Sequence, residues 1–378
     1  MWCPCLGEAV RQWSAWLAAQ AAQRQTLTRR QALKAAAAAL VVPGCTPAAT
    51  APQKADADSL LAGNVSVDLH SHPGLHQRIS PTTLQTHLDR IARGHLKVVL
   101  LAAVGDGPVI RSSPTGRISQ VREPVAGELY ASAYRQLATF QTAIDSGRLT
   151  LVRSPADFAK LNATATPGGI FAVEGADFLE GRLDRVQEAY GRGISSIQLV
   201  HYRVNELGDI QTEPAVHGGL TPFGKDVIRE MNRLGMVVDV AHATFDDVKG
   251  VVDVAQKPLI LSHTILFTRT RFSRAISREH ARLVAGQGGV IGVFPVPVDA
   301  HDFNGFIDHV SRLVDVVGVD HVGIGTDMDG IPVGPLFTDY TEWPSIPAAL
   351  LARGYRPPDV VKVMGGNFVR VFKAVALA

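Results

Sequence analysis

Histidines and acids recur at the ends of short apolar runs in this chain. VSVDLHSH carries His70 and His72, GIFAVEGA carries Glu174, SSIQLVHY carries His201, MVVDVAHA carries His242, PLILSHT carries His263, and the glycine-flanked TDMDG carries Asp327 and Asp329. Neutral imidazole is the commonest side-chain metal ligand. A carboxylate directly behind Phe171, Ala172 and Val173 is costly unless it is paired or metal-bound. His70 and His72 are separated by one residue, which in a strand puts both on one face. His242 and His263 lie 21 residues apart, about the length of a strand, a crossover helix and a second parallel strand. His70, His72, Glu174, His242, His263 and Asp327 therefore offer donors enough for two divalent ions, which such sites hold about 3.5–4 Å apart. The nitrogen-rich set favours two Zn²⁺ per chain over Mg²⁺ or Ca²⁺. Glu174 reads as the bridging ligand and Asp327 as the acid/base.

Residues of this kind must be delivered to one place by a repeating scaffold. Eight β-rich runs are legible, at 65–72, 96–104, 169–176, 195–202, 236–243, 258–264, 289–296 and 321–330. Helical periodicity fills most of the gaps, for instance at 184–192, 223–234, 278–286 and 306–317. This alternation predicts an α/β fold, a (β/α)8 TIM-like barrel, with the metal site at the C-terminal ends of its strands. A doubly wound sheet is the alternative. Residues 117–145 read as an insertion after the second strand that ends in a long helix, and 357–375 as a final helix. The barrel domain is expected over 64–378.

The chain has 378 residues, 46% hydrophobic and 19% charged, with a formal net charge of +2, so no nucleic-acid footprint is present. No glycine-rich phosphate cradle follows the first strand, which disfavours phosphoryl transfer. Residues 1–45 read as an export signal: Thr28 to Lys34 resembles a twin-arginine motif around Arg29 and Arg30, and Val42-Pro43-Gly44-Cys45 resembles a lipobox with Cys45 as the lipidated residue. All three cysteines lie there, so the mature domain has neither disulfides nor a cysteine ligand. Residues 46–63 read as a flexible tether. The expected location is the outer side of a bacterial inner membrane, or the periplasm.

Beyond these readings, residues 64–375 resemble the renal or membrane dipeptidases of the amidohydrolase superfamily. The resemblance rests on VEGADFLEG, LVHYRVNELGD, GLTPFGKDVIREMNRLGMVVDVAHA, PLILSHT, VGIGTDMDG and MGGNFVRVF. It implies a (β/α)8 barrel with a binuclear zinc site, Glu174 bridging, His242 and His263 on one zinc and His70 on the other. By the same resemblance, His201 polarises the scissile carbonyl, Arg274 in RFSRAIS binds the substrate's terminal carboxylate, and Asp327 is the catalytic aspartate. One position departs: the family usually has His-x-Asp in the first strand, where this chain has His70-Ser71-His72. Should His72 point elsewhere, Asp68 is the alternative donor. The implied activity is hydrolysis of dipeptides by a hydroxide bridging the two metals. Other small amides, such as an N-acyl amino acid or a β-lactam, are the alternative substrates, and a lipoprotein that binds peptides without turnover is the reading from another class. Expected partners are small dipeptides, no nucleic acid, and a membrane only through the lipid anchor, with a homodimer left open.

Overall fold

The computed structural model describes residues 51–74, 79–161, 164–332 and 334–377. The expected export signal and Cys45 lie outside them. Eight parallel strands form the centre: β1 (Val67–Ser71), β2 (Val98–Val104), β3 (Gly168–Glu174), β4 (Ile194–Gln198), β5 (Val237–Asp239), β6 (Ile260–Thr264), β7 (Val290–Val293) and β8 (Val322–Ile324). Each strand pairs with the next, β8 pairs with β1, and the sheet therefore closes on itself. In the long β2–β3 ladder, Leu100 sits opposite Ile170 and Val104 opposite Glu174. Every residue of these strands is buried. A parallel strand covered on both faces needs such a near-continuous apolar run, and this is why all eight runs were legible. The fold is the expected (β/α)8 barrel.

The outer helices begin where side chains satisfy their first N–H groups. Thr221 caps α5 (Pro222–Leu234) by accepting from Gly224, Thr244 caps α6 (Phe245–Val254) by accepting from Asp247, and Asp302 caps α8 (Phe303–Val317) by accepting from Gly305. The insertion after β2 contains the expected helix, α3 (Glu128–Asp145), preceded by an antiparallel hairpin pairing Ile110–Ser112 with Ile118–Gln120.

Two expectations need correction. The segment taken as a flexible tether is helical from Ala51 to Gly63 (α1). Its composition includes alanine, leucine and lysine, which favour helix, and Ala57 and Leu61 are buried. The final helix is not continuous. Helical residues run from Pro357 to Val361 and again in α10 (Asn367–Val375), with a wider turn between them. Gly365 causes the break: a Cβ there would come 2.6 Å from Val65 O and 2.8 Å from Val67 N, so the bare backbone lies against the start of β1. The N-terminal end of the barrel is closed by α10, whose Phe368 and Phe372 join Val67, Val98, Val237 and Val290 in one apolar cluster.

At the opposite end, close backbone approach sets the spacing of the last strands. A Cβ on Gly292 would lie 1.8 Å from Ser262 O, and one on Gly325 1.9 Å from the same atom. Only glycine lets β7 and the start of the β8 loop crowd β6 this tightly.

Candidate metal centre

The six proposed donors converge at the C-terminal ends of the strands. Glu174, the last residue of β3, is the hub. Its Oε1 is 3.3 Å from His70 Nε2, 3.3 Å from His242 Nε2 and 3.6 Å from His263 Nε2. Its Oε2 is 3.2 Å from His72 Nε2 and 3.2 Å from His201 Nε2. Two histidine pairs flank it: His70 and His72 have Nε2 atoms 3.1 Å apart, as do His242 and His263. Asp327 Oδ1 stands 3.5 Å from His72 Nε2 and 4.0 Å from His70 Nε2.

Hydrogen bonds on the far sides of the rings decide which nitrogens face inward. His72 Nδ1 is 3.0 Å from Ala102 O. A carbonyl only accepts, so Nδ1 carries the hydrogen and the Nε2 lone pair faces Glu174. Ser262 Oγ lies 3.0 Å from His263 Nδ1 and 3.4 Å from His70 Nδ1. Its two lone pairs suffice to accept from both rings. Two pairs of ring nitrogens, each 3.1 Å apart and crowded on one buried carboxylate, need a proton or a cation among them. The donor set therefore fits divalent metal, as two groups sharing Glu174: His70, His72 and Glu174, and Glu174, His242 and His263.

Without a metal, protons would take part of that place. Burial opposes charge on His70, yet Glu174 beside it, with Asp327 and Asp239, holds its pKa up at about 9. Burial also works against an ionised Glu174, but His201 and His70 hold it well below the usual carboxylate range. Burial, helped by Arg274, keeps His242 and His263 far below the ordinary imidazole value, and hence neutral. Burial raises Asp327 to about 6 against the pull of His70 and His72. Asp327 Oδ1 has no hydrogen-bond partner among the described residues.

Several of these groups lie beyond the strands in which the sequence had placed them. His201 follows β4 by three residues, and Asp327 and Asp329 sit in the loop after β8. His242 (φ 67°), Asp327 (φ 48°) and Asp329 (φ 61°) are left-handed, a strained backbone for non-glycine residues that concentrates at functional sites. Asp68, the alternative donor, turns away: it accepts from Thr326 N at 2.8 Å, Thr326 Oγ1 at 2.5 Å and Tyr340 OH at 2.5 Å. His72 is the residue that joins the cluster.

Two further groups were not read from the sequence. Asp106, just past β2, accepts from His201 Nδ1 at 2.7 Å and from Tyr202 N at 2.9 Å. It stands at a strand end like the other acids, in VGDG, and that position was its only signal. Gln211 accepts from Arg274 Nη1. Arg274 is 4% exposed; its Nη2 reaches His263 O at 3.4 Å, and among the described residues no carboxylate lies within ion-pair distance of it. A buried guanidinium held only by neutral acceptors is a receptor for an anion. It lines a cavity of about 570 Å³ that also reaches Glu174, His201, Asp327 and the apolar Phe272, Phe294 and Val298.

The profile of the family described as Membrane dipeptidase (Peptidase family M19) matches residues 55–378. The chain belongs to that family. Among curated relatives, Dipeptidase tcpJ of Claviceps purpurea is 28% identical over 238 residues, covering 61% of this chain and 56% of the relative. Dipeptidase verJ of Clonostachys rogersoniana is 27% identical over 256 residues, covering 66% of each. The chain thus spans between half and two thirds of the length of the curated relatives it matches. Two solved structures share the fold. A metallo peptidase from Rhodobacter sphaeroides, liganded with a phosphinate mimic of the dipeptide L-Ala-D-Ala, has a TM-score of 0.72 at 20% identity, covering 83% of this chain and 99% of its own. The probable dipeptidase PvdM from Pseudomonas aeruginosa has a TM-score of 0.71 at 19% identity, covering 86% and 98%.

Proposed function

We propose that this member of the membrane dipeptidase family is a zinc-dependent hydrolase of dipeptides with a free C-terminal carboxylate. The observation that carries the reading is the single buried carboxylate of Glu174, shared by two pairs of inward-facing imidazoles. His70, His72 and Glu174 would hold one ion, and Glu174, His242 and His263 the other. Zinc held there would supply a Lewis acid and a nucleophilic hydroxide at neutral pH.

The chain's own groups complete the reaction. Asp327, with a free oxygen and a pKa raised to about 6, takes the proton from the attacking water and passes it to the leaving amine. His201 presents Nε2 to the carbonyl oxygen, and Asp106 fixes its ring from behind. Arg274 takes the terminal carboxylate with its paired N–H groups. The names of the relatives, and the dipeptide mimic in the Rhodobacter protein, support the substrate class.

A panel of dipeptides with L- or D-residues at the C-terminal position tests this. Hydrolysis should stop on chelation and return with Zn²⁺ or Co²⁺. Full hydrolysis by verified metal-free protein would overturn the mechanism. The export reading is part of the same proposal, motivated by Arg29, Arg30 and Cys45. Cys45→Ala should move the protein from the membrane to the soluble exported fraction; wild type already wholly soluble there would remove the lipid anchor.

A further inference from the structure

The cavity has an uneven charge inventory. Of the described residues that line it, two are acidic, Glu174 and Asp327, and two are arginines, Arg274 and Arg117. Glu174 is enclosed by five histidine nitrogens at 3.2–3.6 Å and has no face left for a ligand's cation. Of the two acids only Asp327 has an unpartnered oxygen, and it lies beside His72; Thr212 Oγ1 is a second, neutral unpartnered oxygen in the lining. A substrate ammonium could form an ion pair only with Asp327, and would then occupy the group that must carry the proton. The nearby acids are committed elsewhere. Glu213 is paired with Arg117 at 2.8 Å, and Asp329 faces His87 at 3.5 Å and Arg90 at 3.8 Å.

Part of the remaining wall is apolar, beside the polar Thr115, Tyr202, Thr212 and Ser273. Phe272 and Phe294 stack with centroids 6.0 Å apart, and Val296, Val298 and Ile331 continue the surface. Arg274 accounts for one anionic end of a substrate. No free acid other than Asp327 stands among the described lining residues for a cation at the other end, whereas the apolar part of the wall offers contact to hydrocarbon. At about 570 Å³ the cavity falls within the range that holds drug-sized ligands, well beyond what two small residues need.

We infer that the preferred substrates are N-acyl amino acids: an apolar acyl group without an amine, joined by an amide to an amino acid with a free carboxylate. This rests on the hydrolase reading of the same site and moves its preference from dipeptides to amides whose acyl half carries no amine. Water adds to the amide carbonyl and the C–N bond breaks. The acyl half leaves as a carboxylate, and the amino acid leaves with its nitrogen protonated. The acyl chain lies along Phe294, Val296 and Val298, and the amino acid carboxylate lies on Arg274.

Matched pairs test this on the full zinc-loaded chain. Phe-Ala is compared with 3-phenylpropanoyl-Ala, which lacks only the amine, each with L- and with D-alanine. The acyl compound should show a kcat/KM at least tenfold higher in the stereochemical series that is cleaved. A second series, from acetyl- to octanoyl-alanine, should gain about two- to fourfold per added CH₂ until the wall is filled. Equal or faster cleavage of the free dipeptide, or a flat chain-length series, overturns the inference and leaves the dipeptidase reading standing. Cleavage of neither member of any pair, under conditions where zinc is bound, removes the hydrolase reading and this inference with it.

Discussion

The two ends of the barrel are built from the same eight strands and differ in almost everything else. At the N-terminal end, Val67, Val98, Val237 and Val290 meet Phe368 and Phe372 of α10 in an apolar cluster. At the C-terminal end stand His70, His242 and His263, crowded around the carboxylate of Glu174, all four buried to 1–3% exposure. The left-handed residues His242, Asp327 and Asp329 are also at this end. One end lowers the free energy of the fold by removing hydrocarbon from water. The other holds like-charged or lone-pair-bearing groups together at a cost, which the rest of the barrel must offset. Enzymes on this fold separate stability and chemistry in this way.

Substitutions at the two ends should separate the two properties. Glu174→Gln removes the shared charge of the centre and should lower kcat/KM by about 10⁴-fold, close to 5 kcal/mol, together with zinc content measured on the same sample. Retained activity with full zinc would show that the hub is not needed. Phe372→Ala should do the reverse. The cavity it leaves should cost about 3–5 kcal/mol of unfolding free energy by denaturant titration, with kcat/KM per folded molecule unchanged. A loss of activity matching the loss of stability would show that the ends are coupled.

Arg274→Ala is expected to have a smaller effect than either. It should cost about 2–4 kcal/mol in kcat/KM, and it should abolish the discrimination between a carboxylate-terminated substrate and its C-terminal amide. Preserved discrimination would place the carboxylate elsewhere.

The smallest effect is a shift in pH. Asp327 must be ionised to act as a base, and burial lifts its pKa to about 6 while His70 and His72 pull it down. Bound divalent metal adds positive charge and lowers it further, so the acid limb of kcat/KM should fall below about pH 6. His72→Asp replaces an imidazole 3.5 Å away with a carboxylate. The Asp327 pKa should then rise and the acid limb move up, by about one unit. Movement to lower pH in the variant would contradict the charge argument.

Much of the catalytic end was visible in the chain because of strand geometry. An apolar run that stops at a histidine or an acid marks a buried strand end, and the pairing of His70 with His72 follows from a two-residue repeat. Asp106 escaped notice although it sits at such an end, because Gly105 and Gly107 make VGDG look like a turn. Gln211 had no signal at all: it lies in a long loop, and only folding brings it to Arg274. The helix at Ala51–Gly63 was missed for the opposite reason. Its alanines looked like linker composition, and the burial of Ala57 and Leu61 depends on a surface formed by residues far along the chain.

The sequence alone therefore determined the barrel, the strand ends and the types of donor, because burial on both faces and the alternation of side chains are local properties of a parallel strand. The tertiary structure decided which nitrogen of each ring faces inward, since that depends on partners such as Ala102 O and Ser262 Oγ from other strands. It also decided that Arg274 is buried without a carboxylate and that the free oxygen of Asp327 meets the cavity. Charge compensation acts through space, and no spacing along the chain encodes it.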